Sequence, residues 1–180
     1  MLLPRLAMLR AGLLIEESVG QRPVALHGGA MFIRGATSSD LPAVERLLAA
    51  NELPVDGVRD NFSSFVVADD NGAIAGAIGL EKYGSVALLR SAVVSPDHRG
   101  SGIGRRLVEQ LLERAEEAGV DEMYLLTTTA EKYFPRFGFA RTDRAAIPDA
   151  VKASAEFRGA CPDTAVVMSR RIGEAARTGR

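Results

Sequence analysis

Three glycines alternate at Gly100, Gly102 and Gly104, with Arg99 ahead of them and Arg105 and Arg106 behind. The run Val93-Val94-Ser95-Pro96-Asp97-His98-Arg99-Gly100-Ser101-Gly102-Ile103-Gly104 reads as a β-branched strand turning directly into an amphipathic helix. With few side chains in the way, several backbone N–H groups can converge at the positive end of a helix dipole. That is the chemistry of a phosphate or diphosphate cradle. The spacing is not that of a dinucleotide-binding Gly-x-Gly-x-x-Gly turn. Three strand patterns joined by two hairpin turns lead into the glycines, and no Gly-Lys-Ser/Thr ends them.

Other candidate chemistry lies close by in the sequence. Glu81 ends one strand pattern and Arg90 lies mid-strand among Leu88, Leu89, Ala92 and Val93. A carboxylate at position 81 can accept a proton, or it is a solvated strand-end charge. An arginine in an apolar strand needs an anionic partner. That partner is either a substrate anion held in a bidentate fork or Glu81 itself. Cys161 is the only cysteine, so no intrachain disulfide forms, and no Cys/His cluster has zinc spacing.

The elements that must position these groups follow from periodicity. Strand patterns cover residues 31–36, 62–68, 73–81, 86–94, 122–127 and 164–169, with a further strand starting near Gly138-Phe139. Helices are expected over 41–50, 103–118, 129–137 and 150–157, and residues 51–60 form a loop or a short helix. Thr37-Ser38-Ser39-Asp40 offers N-caps, Asp70-Asn71-Gly72 a hairpin turn, and Gly119 a helix-ending C′ residue. The 103–118 helix has its apolar stripe at Ile103, Leu107, Val108, Leu111, Leu112, Ala115 and Ala118. The result is an α/β chain with a mixed, largely antiparallel sheet and flanking helices.

Bulk properties suit one domain. The chain has 180 residues, 47% hydrophobic and 25% charged, with a net charge of -1. The absence of a basic excess argues against nucleic acid as a partner. No apolar run is long enough for a membrane span. Pro4, Arg5 and Arg10 interrupt the apolar start, which argues against a signal peptide. The division expected is a weakly ordered extension over residues 1–30, one domain over 31–172, and a tail over 173–180. Cytoplasmic location is the matching expectation.

The stretch Ser-Ala-Val-Val-Ser-Pro-Asp-His-Arg-Gly-Ser-Gly-Ile-Gly resembles the acetyl-CoA signature of the GNAT N-acetyltransferases. Tyr133-Phe134-Pro135-Arg136-Phe137-Gly138-Phe139 resembles the later motif of that family. Ala87-Leu88-Leu89-Arg90-Ser91, Tyr124-Leu125-Leu126-Thr127-Thr128-Thr129 and Phe157-x-x-x-Cys161-Pro162 are similar to GNATs encoded beside arsenic-resistance genes, and less closely to short N-acetylglutamate synthases.

The resemblance implies a GNAT fold with a splayed strand pair and acetyl-CoA as co-substrate without a metal. Ala92, Val93 and Val94 would pair with the cofactor backbone. Arg99, Gly100, Ser101, Gly102, Ile103, Gly104 and Arg105 would hold its diphosphate, and Thr127 and Phe134 would line its path. A small, amino-acid-like amine would attack the acetyl carbon directly, with Glu81 as proton acceptor, Arg90 as substrate anchor and an N–H near Val94 on the developing oxyanion. The family places a tyrosine five residues before the Phe of Gly-Phe, but Phe134 stands there and Tyr133 is one residue early. Tyr133 is then either the donor to the leaving thiolate or a packing residue. N-acetylglutamate synthesis, protein acetylation and non-catalytic acyl-CoA binding are the alternatives, and a homodimer is the family-level expectation.

Overall fold

The computed structural model describes residues 22–26 and 29–173, with side chains from residue 31 onward apart from Ala160. Eight strands form one sheet in the order β1-β2-β3-β4-β5-β6-β8-β7. They are β1 (Arg22–Leu26), β2 (Gly29–Gly35), β3 (Val66–Asp70), β4 (Ala73–Tyr83), β5 (Val86–Val94), β6 (Glu122–Thr127), β7 (Ala140–Arg141) and β8 (Val166–Arg171). All neighbours are antiparallel except β5 and β6. A parallel pair needs a crossover, and the helix α2 (Ile103–Glu117) supplies it.

Helices cover both faces of the sheet, and on the face opposite α2 Val151 of the short helix Asp149–Lys152 also packs on Leu88, Tyr124 and Val167. Ile103, Leu107, Val108, Leu111 and Ala115 of α2 pack on Val66, Ala68, Leu80, Ala87 and Leu89. Val44 and Leu48 of α1 (Leu41–Ala50) pack on the opposite face with Phe65, Val67, Ala77 and Val93. The alternation along β3 follows from the two-residue period of a strand. Gly79 makes room for this core: a Cβ there would collide with the ring of Phe65.

Strand β5 breaks that alternation. Ala77 faces Val93 and Gly79 faces Arg90, so Ser91 and Ala92 together oppose Ile78. This is a β-bulge, and Ser91 sits in it with φ of 56°. The bulge reverses the side-chain parity. Ala87 and Leu89 face α2, whereas Val93 faces α1. Pairing between β5 and β6 runs from Val86/Glu122 to Leu89/Leu125 and goes no further. The two strands diverge where the bulge begins, which is the splay the resemblance implied.

Several expectations need correction. The strand expected from residue 31 starts at Gly29 and is paired by β1, so the sheet reaches back into the expected extension. Residues 1–21, 27, 28 and 174–180, including the rest of that extension and most of the tail, lie outside the described residues. Arg59–Ser64 form a 3-10 turn, so β3 begins at Val66 rather than at Phe62. No α-helix spans 129–137; a 3-10 turn at Phe134–Phe137, with Pro135 near its start, takes its place. The strand near Gly138-Phe139 is the two-residue β7. The expected 150–157 helix is one turn, α3 (Asp149–Lys152), followed by a π-type turn at Glu156–Ala160. Ala118 is exposed and falls outside the apolar stripe. Among the described residues, no helix is long and apolar enough to cross a membrane.

Candidate active site

The splay opens a cleft of about 1060 Å³ between the ends of β5 and β6 and the start of α2. Ala92, Val93 and Val94 form one wall, and Leu125, Leu126 and Thr127 the other. Beyond Leu89 the backbone of β5 has no strand partner on this side. Such an edge can accept an extended ligand as an added strand.

The glycine turn closes one end. Gly100 and Gly102 have φ of 77° and 86°, and a Cβ on either would meet nothing within 4 Å. Gly102 is the N-cap of α2. The N–H groups of the first helical turn have no intrahelical acceptors. Ser101 Oγ donates to the carbonyl of His98 at 2.5 Å and fixes the turn. His98 is in turn held between Ser95 Oγ at 2.8 Å and Asp70 at 3.2 Å. Arg99 reaches Asn51 Oδ1 at 2.6 Å and the Val94 carbonyl at 3.2 Å. Arg105 pairs with Glu109 at 2.7 Å, largely in solvent. Arg99, Arg105 and the glycine turn thus gather at one end of the cleft.

Tyr133 lies over this end. A Cβ on Gly104 would stand 3.1 Å from its hydroxyl, and Arg136 stacks on its ring at 4.5 Å. Burial raises the phenol pKa. Phe134, at the position the family gives to tyrosine, is buried against Tyr133 and Phe139 and borders the cleft. The Thr127 hydroxyl accepts from the Ala130 N–H at 2.8 Å, so Thr127 caps the turn after β6.

Arg90 lies at the other end with no exposed side-chain surface. Its Nη1 pairs with Glu81, its Nη2 donates to the Asp56 carbonyl at 2.6 Å, and its Nε donates to Ser91 Oγ at 3.1 Å. Glu81 takes its remaining bond from the Tyr83 hydroxyl at 2.6 Å, and burial beside that carboxylate raises the Tyr83 pKa. Glu81 is 2% exposed and does not border the cleft, so it is the ion-pair partner of Arg90 and no solvated strand end. Gly57 makes the pairing possible. It has φ of 74°, and a Cβ there would come within 2.9 Å of Arg90 Nη1.

Sequence reasoning passed over one residue of this end. Glu156 is buried, borders the cleft, and places Oε1 3.6 Å from Arg90 Nε. Burial, reinforced by the charge of Glu81 and opposed by Arg90, pushes its pKa up to about 7. Cys161 lies against it, and burial beside Glu156 pushes the thiol up to about 11. The sequence signal was faint: one Glu two residues before Arg-Gly-Ala-Cys-Pro, inside the helix expected over 150–157. Among the described residues, no group of three His, Cys, Asp or Glu side chains could hold a metal ion.

Over residues 34–139 the sequence matches the Acetyltransferase (GNAT) family. The chain belongs to that family. It is 30% identical over 126 residues to an amino-acid acetyltransferase of Pasteurella multocida, covering 65% of this chain and 29% of that one. It is 27% identical over 148 residues to an uncharacterized N-acetyltransferase of Chlorobaculum tepidum, covering 76% of this chain and 95% of that protein. The fold is similar to N-acetylglutamate synthase from Neisseria gonorrhoeae, solved with coenzyme A and L-arginine. There the TM-score is 0.68 at 21% identity, over 79% of this chain and 33% of the other. This chain thus spans roughly a third of the amino-acid acetyltransferases it matches (29% and 32% of two of them).

Proposed function

We propose that this GNAT acetyltransferase moves the acetyl group of acetyl-CoA to the amine of a small, amino-acid-like acceptor by direct attack. One observation carries the reading. The β5–β6 pairing stops at Leu89/Leu125, and the cleft opened there is bordered by the glycine turn at the start of α2, whose first-turn amides have no intrahelical acceptors. The residues present suit acetyl-CoA. Gly100–Arg105 offer the diphosphate amide hydrogens and Arg99 a guanidinium. Ala92–Val94 offer an unpaired strand edge, and Thr127 and Phe134 flank the path to the splay.

The acceptor enters from the end lined by Leu53, Asp56, Arg90, Glu156 and Cys161. Glu81 acts there through Arg90. By neutralising and orienting the guanidinium, it holds that wall in place. Because the Arg90 fork is engaged inside the protein, the acceptor end offers little to a side-chain carboxylate. N-acetylglutamate synthesis is the second reading, favoured by the names of the relatives above.

Calorimetry with acetyl-CoA tests the cradle. Release of free CoA with a panel of neutral and acidic amino acids, their phosphinic and arsinic analogues, and simple amines tests the acceptor. A neutral amino acid outperforming glutamate is the expected result. Acetyl-CoA binding without release for any amine would turn the protein into an acyl-CoA-binding module.

A further inference from the structure

Among the described residues, Glu156 is the only acidic side chain that both borders the cleft and is buried; Glu52 and Asp56, which also border it, are exposed. Its surroundings leave it unmatched. Arg90 is the sole cation within reach, and that guanidinium already serves Glu81, the Asp56 carbonyl and Ser91. Two buried carboxylates therefore share one positive charge. Glu81 holds the close contact, while Glu156 stands 3.6 Å off. A buried carboxylate that must share its one cation with a second, closer carboxylate binds a proton more readily.

We propose that Glu156 is a catalytic residue, the group that accepts the proton of the acceptor amine. The inference rests on the acetyltransferase reading above. The acceptor arrives as an ammonium ion and gives one proton to the Glu156 carboxylate. The nitrogen lone pair freed in this way forms the bond to the acetyl carbon. The carbon–sulfur bond breaks with its electron pair on sulfur, and the second amine proton ends on that sulfur, giving CoA thiol and the acetamide. Glu156 then returns its proton to water.

The groups facing Glu156 make it suited to this task. Arg90 from β5 favours its charged form, Glu81 from β4 disfavours it, and Cys161 from its own loop hydrogen bonds to it. Tyr83 bears on Glu81, and Arg144 on Cys161. With a pKa near 7, Glu156 is partly ionised at neutral pH and can both take up and shed a proton.

The test compares the wild type with Glu156→Gln. Acetyl-CoA affinity is expected to be unchanged, while kcat at pH 7 falls by about 10²-fold, the usual contribution of a general base. That deficit should narrow as pH rises toward the acceptor's own pKa, because free amine then needs no base; a merely structural role would not produce this. Carbon-13 glutamate labelling should show one wild-type carboxyl titrating near 7 that is lost in the variant. Equal kcat and equal pH profiles for the two proteins would overturn the proposal and leave the acetyltransferase reading standing. So would the absence of any glutamate titrating between about 6 and 8 in the wild type, a readout that holds even if the variant does not fold. A wild type that releases no CoA with any amine would remove the reading itself, and the proposal with it.

Discussion

Removing the Arg90 guanidinium would strand Glu81 in the protein interior with only the Tyr83 hydroxyl. Breaking a buried pair from one side costs about 3–5 kcal/mol. Arg90→Ala is therefore expected to unfold at distinctly lower denaturant. Glu81→Ala/Arg90→Ala should lose less than the sum of the single variants, a coupling that unfolding curves measure directly. Tyr133 calls for a different readout. Its hydroxyl is above Gly104, at the diphosphate end, and the leaving thiol (free pKa about 8.5) needs little help from an acid. Tyr133→Phe should therefore raise KM for acetyl-CoA several-fold and change kcat by less than about threefold. A tenfold fall in kcat with KM unchanged would instead make the phenol the thiolate's proton donor.

Between β2 and α1 the chain is clamped by Asp40. Its carboxylate accepts from Arg34 at 2.7 and 2.9 Å and from the Thr37 N–H and hydroxyl at 2.8 and 2.9 Å. The Arg34 guanidinium, aided by Thr37, holds Asp40 down at about 2. A carboxyl depressed in the folded state adds stability above its unfolded pKa and loses it as pH falls through the folded value. Asp40→Asn is thus expected to cost about 1–2 kcal/mol at pH 7, with the difference fading between pH 4 and pH 2 in thermal melts. This clamp lies within the Thr37–Asp40 cap that was legible in the sequence, as were α2, the Asn71-Gly72 turn and the glycine turn that opens α2. These are local signals, written in residues a few positions apart. The pairing of Arg90 with Glu81 was one of two open readings, because a sequence does not say which way a strand's arginine turns. Glu156 escaped because its burial depends on β4 and β5, more than 60 positions upstream. The short turns at 134–137 and 156–160 escaped because tertiary packing overrode a helical periodicity there.

For the whole molecule, ligand binding and stability are one quantity. If the cradle holds acetyl-CoA, a concentration of about 100 times Kd adds about 2.7 kcal/mol to folding. For a domain of this size that should raise Tm by about 5–10 °C, readable by calorimetric scanning. The feature that makes the binding space is the single surplus residue at Ser91–Ala92. Deleting one of the two would turn Val93 toward α2 and let β5 continue beside β6. Amide exchange at residues 126–127 would then slow as new inter-strand bonds formed. The sheet would be more regular and the protein useless. The proposed chemistry depends on an imperfection that a one-codon deletion would erase, so a screen for heat resistance alone would favour chains without the cleft.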